Sequence, residues 1–308
     1  MGDTLKIRGG KSLSGSIFVG GSKNTILPCI AGALLTDGEV TLENVPDIRD
    51  VSMMLAIAED LGVSIERDLG SRSVNINAKH LKNNKVHEDW ARKLRGSLLF
   101  SGALLGRVRS VELAYPGGDQ IGARPLDTHL HALRHLGIVI EEGNYLKLNG
   151  ENLKGAQVLL EESSVTATEN TILAAVLAPG KTEIHLAAQE PHVQELIKFL
   201  NSMGAAICWK DVGVLEIEGQ KKLHATRYRI NPDELEVSSF AALAAATASS
   251  ITIRGIEIRY LDAVLLQLTK MGVEYRVSKN DLLIERARAP YKGFRLQSGL
   301  YQIGRAHV

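Results

Sequence analysis

The sequence predicts an α/β fold built from repeated α-β-α-β-β units, and three observations carry that reading. A Leu- or Met-Gly step closes an apolar helical stretch four times, in AIAEDLGVSI, HALRHLGIVI, KFLNSMGAAI and LQLTKMGVEY. The glycines, Gly62, Gly137, Gly204 and Gly272, stand 75, 67 and 68 residues apart. A near-constant period of about 70 residues marks duplicated supersecondary units. Around each glycine, helix-period and strand-like segments alternate in the same order, which is the pattern of helices layered on short sheets.

Each unit opens with a helix of small residues: TILPCIAGALL, GSLLFSGALL, NTILAAVLA and SFAALAAAT. A short strand follows: EVTLENV, SVELAYP, TEIHLAA and ITIRGI. Next comes an amphipathic helix such as DVSMMLAIAEDLG, and the glycine after its last turn fits a C-terminal cap. One or two strands end the unit, as in VSIERD and SVNINA, or IVIEEG and YLKLNG. The small-residue helices are apolar nearly all round, AALAAATA most of all. Helices without a polar face are buried ones, so they are expected at the centre with the sheets outside. The fourth unit ends near Arg288, and a fifth begins at Gly293 with FRLQSGLY. Residues 302–308, QIGRAHV, match nothing in the repeats and read as an artefactual tail of adapter-derived DNA.

The composition narrows the function classes. At 308 residues the chain suits two domains. With 36 Lys and Arg against 35 Asp and Glu, the net charge of +1 lacks the basic excess of a nucleic-acid binder. No apolar run is long enough to span a membrane. The start, MGDTLKIRGGK, has no apolar core of a secretory signal, so a cytoplasmic protein is expected. Two cysteines, Cys29 and Cys208, make neither a disulfide framework nor a zinc site.

Three segments carry chemistry. Gly-Gly-Ser-Lys-Asn-Thr, residues 20–25, precedes an apolar helix; Ser22 or Asn24 suits a cap, and Lys23 adds a cation where a helix N-terminus already favours anions. A capping loop with a solvated lysine is the plainer reading, and the spacing is not that of a P-loop. Arg-Lys-Leu-Arg-Gly-Ser, residues 92–97, places Arg95 at the start of the second small-residue helix, where a guanidinium can fork onto phosphate or carboxylate. Tyr115–Asp127, YPGGDQIGARPLD, holds three glycines and two prolines, which predicts a long ordered loop with Asp119 at its tip and Arg124 before a helix starting at Pro125. Together these supply cations and one carboxylic acid, suited to an anionic, phosphate-bearing substrate and one proton transfer. His129, His131 and His135 read as partly exposed packing residues of that helix, so no metal and no cofactor is expected.

GSKNTILP, the Arg95 helix start, PGGDQIGARPLD, SVTATENTILAAVLA and AAQEPHVQELIKFLNSMGA resemble the UDP-N-acetylglucosamine 1-carboxyvinyltransferase family of enolpyruvyl transferases, from about residue 4 to residue 301. The resemblance implies an inside-out α/β barrel fold of six repeats, about four of them present here. It implies one domain at 23–229 and a second, discontinuous and incomplete, at 1–22 and 230–308. The implied reaction moves the enolpyruvyl group of phosphoenolpyruvate to the sugar 3′-hydroxyl and releases phosphate, the first committed step of peptidoglycan precursor synthesis, with consequences for cell shape and division. Lys23 and Asn24 match the pair holding phosphoenolpyruvate and its adduct, and Arg95 the arginine on the substrates' anionic groups. Asp119 takes the place of the general acid, most often cysteine, which implies insensitivity to fosfomycin. Arg124, Pro125, Leu126, Asp127 and Thr128 match a segment binding phosphoenolpyruvate and the uridine nucleotide, and Ser164 and Val165 match part of the nucleotide site. Glu162 and Thr166 depart from the family's usual lysine and glycine. The family's base, in a Pro-Thr-Asp turn, belongs after Tyr301, so this chain is expected not to turn over alone. The alternatives are transfer to shikimate 3-phosphate, or a non-catalytic repeat module that binds a nucleotide sugar. The long PGG loop and the absence of a Gly-Asn-Ala-Gly-Thr segment argue against the first.

Overall fold

In a computed structural model, which describes residues 4–118, 125–286, 290–293 and 295, the four periodic glycines each end a helix. Gly62, Gly137, Gly204 and Gly272 have φ of +95°, +86°, +94° and +78°, left-handed backbone that glycine adopts at little cost. Gly62 N–H donates to the Glu59 carbonyl and Val63 N–H to the Ala58 carbonyl. The same pair of bonds recurs after each of the other three helices, onto Arg134 and Leu133, Asn201 and Leu200, and Thr269 and Leu268. All four are Schellman caps, which satisfy carbonyls that the last turn leaves without helical partners.

The chain divides into a larger unit, Lys23–Ile230, and a smaller one formed from residues up to Ser22 and from Asn231 onward. The smaller unit contributes β1 (Ser14–Phe18) first. The larger unit's first repeat holds α1 (Lys23–Gly32), β2 (Glu39–Glu43), α2 (Arg49–Asp60) and the hairpin of β3 (Ser64–Asp68) and β4 (Ser73–Asn77). Its second holds β5 (Lys85–Val86), α3 (Glu88–Ala91), a 3₁₀ turn at Arg95–Leu98 that runs into α4 (Leu99–Val108), β6 (Ser110–Ala114), α5 (Asp127–His135), β7 (Val139–Glu142) and β8 (Tyr145–Asn149). The third holds β9 (Gln157–Leu159), α6 (Val165–Ala175), β10 (Lys181–His185), α7 (Pro191–Ser202), β11 (Ala206–Asp211) and β12 (Val214–Glu218), and β13 (Thr226–Arg229) ends the unit. The smaller unit resumes with α8 (Glu234–Ala246), β14 (Ser250–Arg254), α9 (Asp262–Met271), β15 (Tyr275–Val277) and β16 (Asp281–Ile284).

The strands form four-stranded sheets that share one order. A linking strand lies parallel beside each repeat's first strand, and a hairpin completes the sheet antiparallel: β13-β2-β4-β3, β5-β6-β8-β7, β9-β10-β12-β11 and β1-β14-β16-β15. β13 follows the third repeat yet pairs with the first, Thr226–Arg229 lying opposite Val40–Glu43. Backbone hydrogen bonds therefore close the three repeats of the larger unit on one another.

At the centre of that unit α1, α4 and α6 are buried along nearly their whole length. α4 lies close on α6 because two of its residues have no side chain. A Cβ at Gly102 would stand 2.4 Å from the Asn170 carbonyl oxygen, and one at Gly106 would stand 2.8 Å from that of Leu173. Sheets and the amphipathic α2, α5 and α7 flank this apolar centre, as one-faced elements must.

Four local expectations need correction. α8, the most alanine-rich helix, is not buried all round: Ala242, Leu243 and Ala246 are exposed, Leu243 by 42%. In the larger unit each such helix has two others to pack on, whereas among the described residues of its own unit α8 packs on β14 and β16. α5 starts at Asp127 rather than Pro125, with Leu126 at its cap, and Arg95 opens a 3₁₀ turn rather than an α-helix. His129 is 3% exposed, not partly exposed. Among the described residues no helix is long and apolar enough to cross a membrane.

Candidate active site

Lys23 is the first residue of α1, at a helix end whose N–H groups favour anions. Its Nζ lies 3.0 Å from Asp50 Oδ2, in the first turn of α2, and both side chains are partly exposed. The pairing ties the exposed lysine to the start of α2. Asn24 follows on the same turn. Pro28, four residues on, has no N–H to offer the Asn24 carbonyl.

Arg95 organises the long loop. Its Nη2 donates to the Pro125 carbonyl at 3.2 Å. At the other end of the loop, Gly117 N–H donates to the Ala91 carbonyl at 2.9 Å. Both ends are thus pinned to the short Ala91–Arg95 stretch. Gly96, next to Arg95, lies against α1, since a Cβ there would meet Leu27 Cδ1 at 3.3 Å. Asp119 and Arg124 lie outside the described residues. Leu126 packs on the core, and Asp127 and Thr128 form the first turn of α5.

Ser164 takes the cap position of α6 with extended backbone, and its carbonyl accepts from the Thr168 N–H and hydroxyl. Val165 packs on the core one residue later. The start of α6 is fastened to α5 by buried polar groups. Gly102 N–H donates to Asn170 Oδ1 at 2.9 Å, which turns Asn170 Nδ2 toward His129 Nδ1 at 3.3 Å. An amide nitrogen only donates, so Nδ1 accepts and Nε2 carries the ring proton. That Nε2–H faces Thr166 Oγ1 at 3.2 Å. Thr166, which departs from the family pattern, is therefore the residue that His129 holds.

Several ionisable groups of the central and flanking helices are buried. Burial, and then the Glu190 carboxylate, push the Glu169 carboxyl well above the usual range. Glu169 Oε1 has no hydrogen-bond partner among the described residues. Burial pushes the Cys29 thiol up as well, reinforced by Glu195 and Glu169. His192, on the first turn of α7, is pulled down to about 4 by burial. Sequence reading passed over Asp50, Asn170 and Glu169. Asp50 carries a signal, an acid in the first turn of an amphipathic helix. Asn170 and Glu169 differ from exposed polar residues only through their neighbours.

A family model described as EPSP synthase (3-phosphoshikimate 1-carboxyvinyltransferase) matches residues 7–298, nearly the whole chain. The chain belongs to the EPSP synthase family. Within that family its sequence is similar to proteins named UDP-N-acetylglucosamine 1-carboxyvinyltransferase. The one from Treponema denticola is 42% identical over 278 residues, 90% of this chain and 65% of its own length. That from Treponema pallidum is 44% identical over 268 residues, 87% of this chain and 63% of its own. That from Idiomarina loihiensis is 40% identical over 292 residues, 94% of this chain and 69% of its own. The chain thus spans slightly less than two thirds of the length of the Treponema relatives. The EPSP synthase family fold is shared with the enolpyruvyl transferase NikO from Streptomyces tendae, at a TM-score of 0.83 and 20% identity, covering 93% of this chain and 68% of that one. An EPSP synthase from Acinetobacter baumannii gives a TM-score of 0.74 at 22% identity, covering 94% and 68%.

Proposed function

We propose that this protein takes part in transferring the enolpyruvyl group of phosphoenolpyruvate to the 3′-hydroxyl of UDP-N-acetylglucosamine, with release of phosphate, in the cytoplasm and toward peptidoglycan precursors. The observation that carries the reading is the name shared by relatives 40% to 44% identical across most of the chain. Lys23 at the start of α1 and Arg95 at the start of the 3₁₀ turn that leads into α4 add cations suited to a phosphate and a carboxylate. In this mechanism Lys23 and Asn24 hold phosphoenolpyruvate, joined by Arg95 and Arg124. Asp119 gives a proton to the methylene carbon, which raises positive charge on the adjacent carbon. The sugar hydroxyl attacks there and gives its proton to the base that the resemblance places after Tyr301; the tetrahedral adduct then loses phosphate together with a proton from its new methyl group, which restores the double bond. Pro125, Leu126, Asp127, Thr128, Ser164 and Val165 line the nucleotide side. Asp119 must be protonated to act, so burial has to outweigh the pull of nearby cations.

Binding tests the reading. UDP-N-acetylglucosamine is expected to bind the chain, and Arg95→Ala to weaken it at least tenfold, measured by calorimetry. Uptake of shikimate 3-phosphate in preference to the nucleotide sugar would sink the proposal in favour of the sister reaction. Fosfomycin is expected to leave the peptide containing Asp119 unmodified by mass spectrometry. A covalent adduct on that peptide would remove Asp119 from the role of acid.

A further inference from the structure

We propose that His131 and His135, on the exposed side of α5, form a two-imidazole chelate for a late first-row divalent cation, copper(II) or nickel(II). The residues are four apart, so they project from one face of the helix one above the other. Their Nε2 atoms are 3.0 Å apart and their ring centres 4.7 Å apart. Both distances fit one geometry. An ion about 2.05 Å from each nitrogen would subtend an angle of about 94° between them. With each ring centre about 1.15 Å behind its nitrogen, that placement sets the ring centres about 4.7 Å apart, as observed. A head-on N–H···N hydrogen bond of the same N···N length would set them about 5.3 Å apart. The rings share a hydrogen bond here, bent enough that one cation fits in its place between the two nitrogens.

The ligand type chooses the metal: imidazole nitrogens bind late first-row divalent ions, and the affinity order puts copper(II) first. Neighbouring positions of a tetragonal or octahedral ion need about 2.9 Å between the nitrogens, close to the separation here. Glu161 supplies the outer partner: its Oε1 lies 3.4 Å from His131 Nδ1. At that distance the carboxylate acts through its charge, which favours a cation beside the ring. Among the described residues no third His, Cys, Asp or Glu joins these two as a ligand, so water completes the coordination shell. The chelate spans one turn of α5, the helix that follows the long loop, so an ion there braces that turn.

The test is titration of the full chain with copper(II), nickel(II) and zinc(II) chlorides in a weakly coordinating buffer, read by calorimetry and by electron paramagnetic resonance of the copper form. One copper per chain is expected, with hyperfine splitting from two nitrogens and the order copper, nickel, zinc from tight to weak. His131→Ala and His135→Ala are each expected to lose at least tenfold in affinity, and Glu161→Gln less than either. Cys208→Ser, which removes the exposed thiol, is expected to bind copper unchanged. Nickel is expected to raise the melting temperature of the native chain and not that of His135→Ala. Undiminished copper uptake by the doubly substituted His131→Ala, His135→Ala chain overturns the proposal, as does zinc binding more tightly than nickel.

Discussion

At the scale of single residues, two buried ionisable groups set how stability responds to pH. Glu169 holds its proton more tightly in the folded chain than in the unfolded one, because burial and Glu190 penalise its charge. The folded state then binds more protons above the unfolded value, so this residue's contribution falls as pH rises. Glu169→Gln, neutral at every pH, removes that loss. The stability gap between variant and native chain, read from urea unfolding, is expected to grow with a slope of about 1.4 kcal/mol per pH unit above the unfolded value, until the folded carboxyl titrates. A flat gap between pH 5 and 8 would show that Glu169 is ionised in the fold. His192 works in the opposite direction. Pulled down to about 4, it stays neutral in the fold while the unfolded chain takes up a proton below about 6.5. Its contribution is intact above that value and is lost as pH falls toward 4. His192→Gln is expected to recover about 3 kcal/mol of the acid loss at pH 4, measured against the native chain.

At the scale of elements, close approach and backbone sign do the work. Gly102→Ala gains helix propensity of about 1 kcal/mol but drives a methyl into the Asn170 carbonyl, 2.4 Å away. Overpacking of that kind costs about 1–3 kcal/mol or more, and α4 and α6 also share the bond that orients His129. A net loss of stability is expected, together with weaker substrate binding as α5 shifts. Gly272→Ala separates the two effects. Nothing lies within 4 Å of a Cβ there, but φ is +78°, so only the cost of left-handed backbone is expected, about 1 kcal/mol. Equal losses at the two positions would mean that helix approach is not what Gly102 secures. The period of these caps was visible in the chain, because a Schellman cap needs glycine at one place and apolar residues at fixed distances from it. The 3₁₀ start at Arg95 was not visible, because its tightening comes from the Leu94 carbonyl and the packing of Leu98.

At the scale of the whole molecule, the two units carry separate apolar cores. One extends through the three repeats of the larger unit, and the other gathers Val237, Ala241, Ile253, Leu282 and Ile284 in the smaller. A smaller core with a half-exposed α8 protects its amides less. Hydrogen exchange is expected to be faster in β14 and β16 than in the corresponding β6 and β8 of the larger unit. Equal protection would mean that the smaller unit gains stability from contacts beyond its own core. The repeat, the α-β-α-β-β order within it, the glycine-capped helix C-termini and the place of Lys23 at the start of α1 follow from sequence alone, because periodicity and caps are local properties of the chain; the linking strand added to each sheet did not. Tertiary structure decided which face of α8 meets solvent, that β13 returns to the first sheet, and that Asp50, His129 and Asn170 meet their partners. Those outcomes depend on residues distant along the chain, and no local pattern encodes the neighbour that will pair with a carboxylate or bury an imidazole.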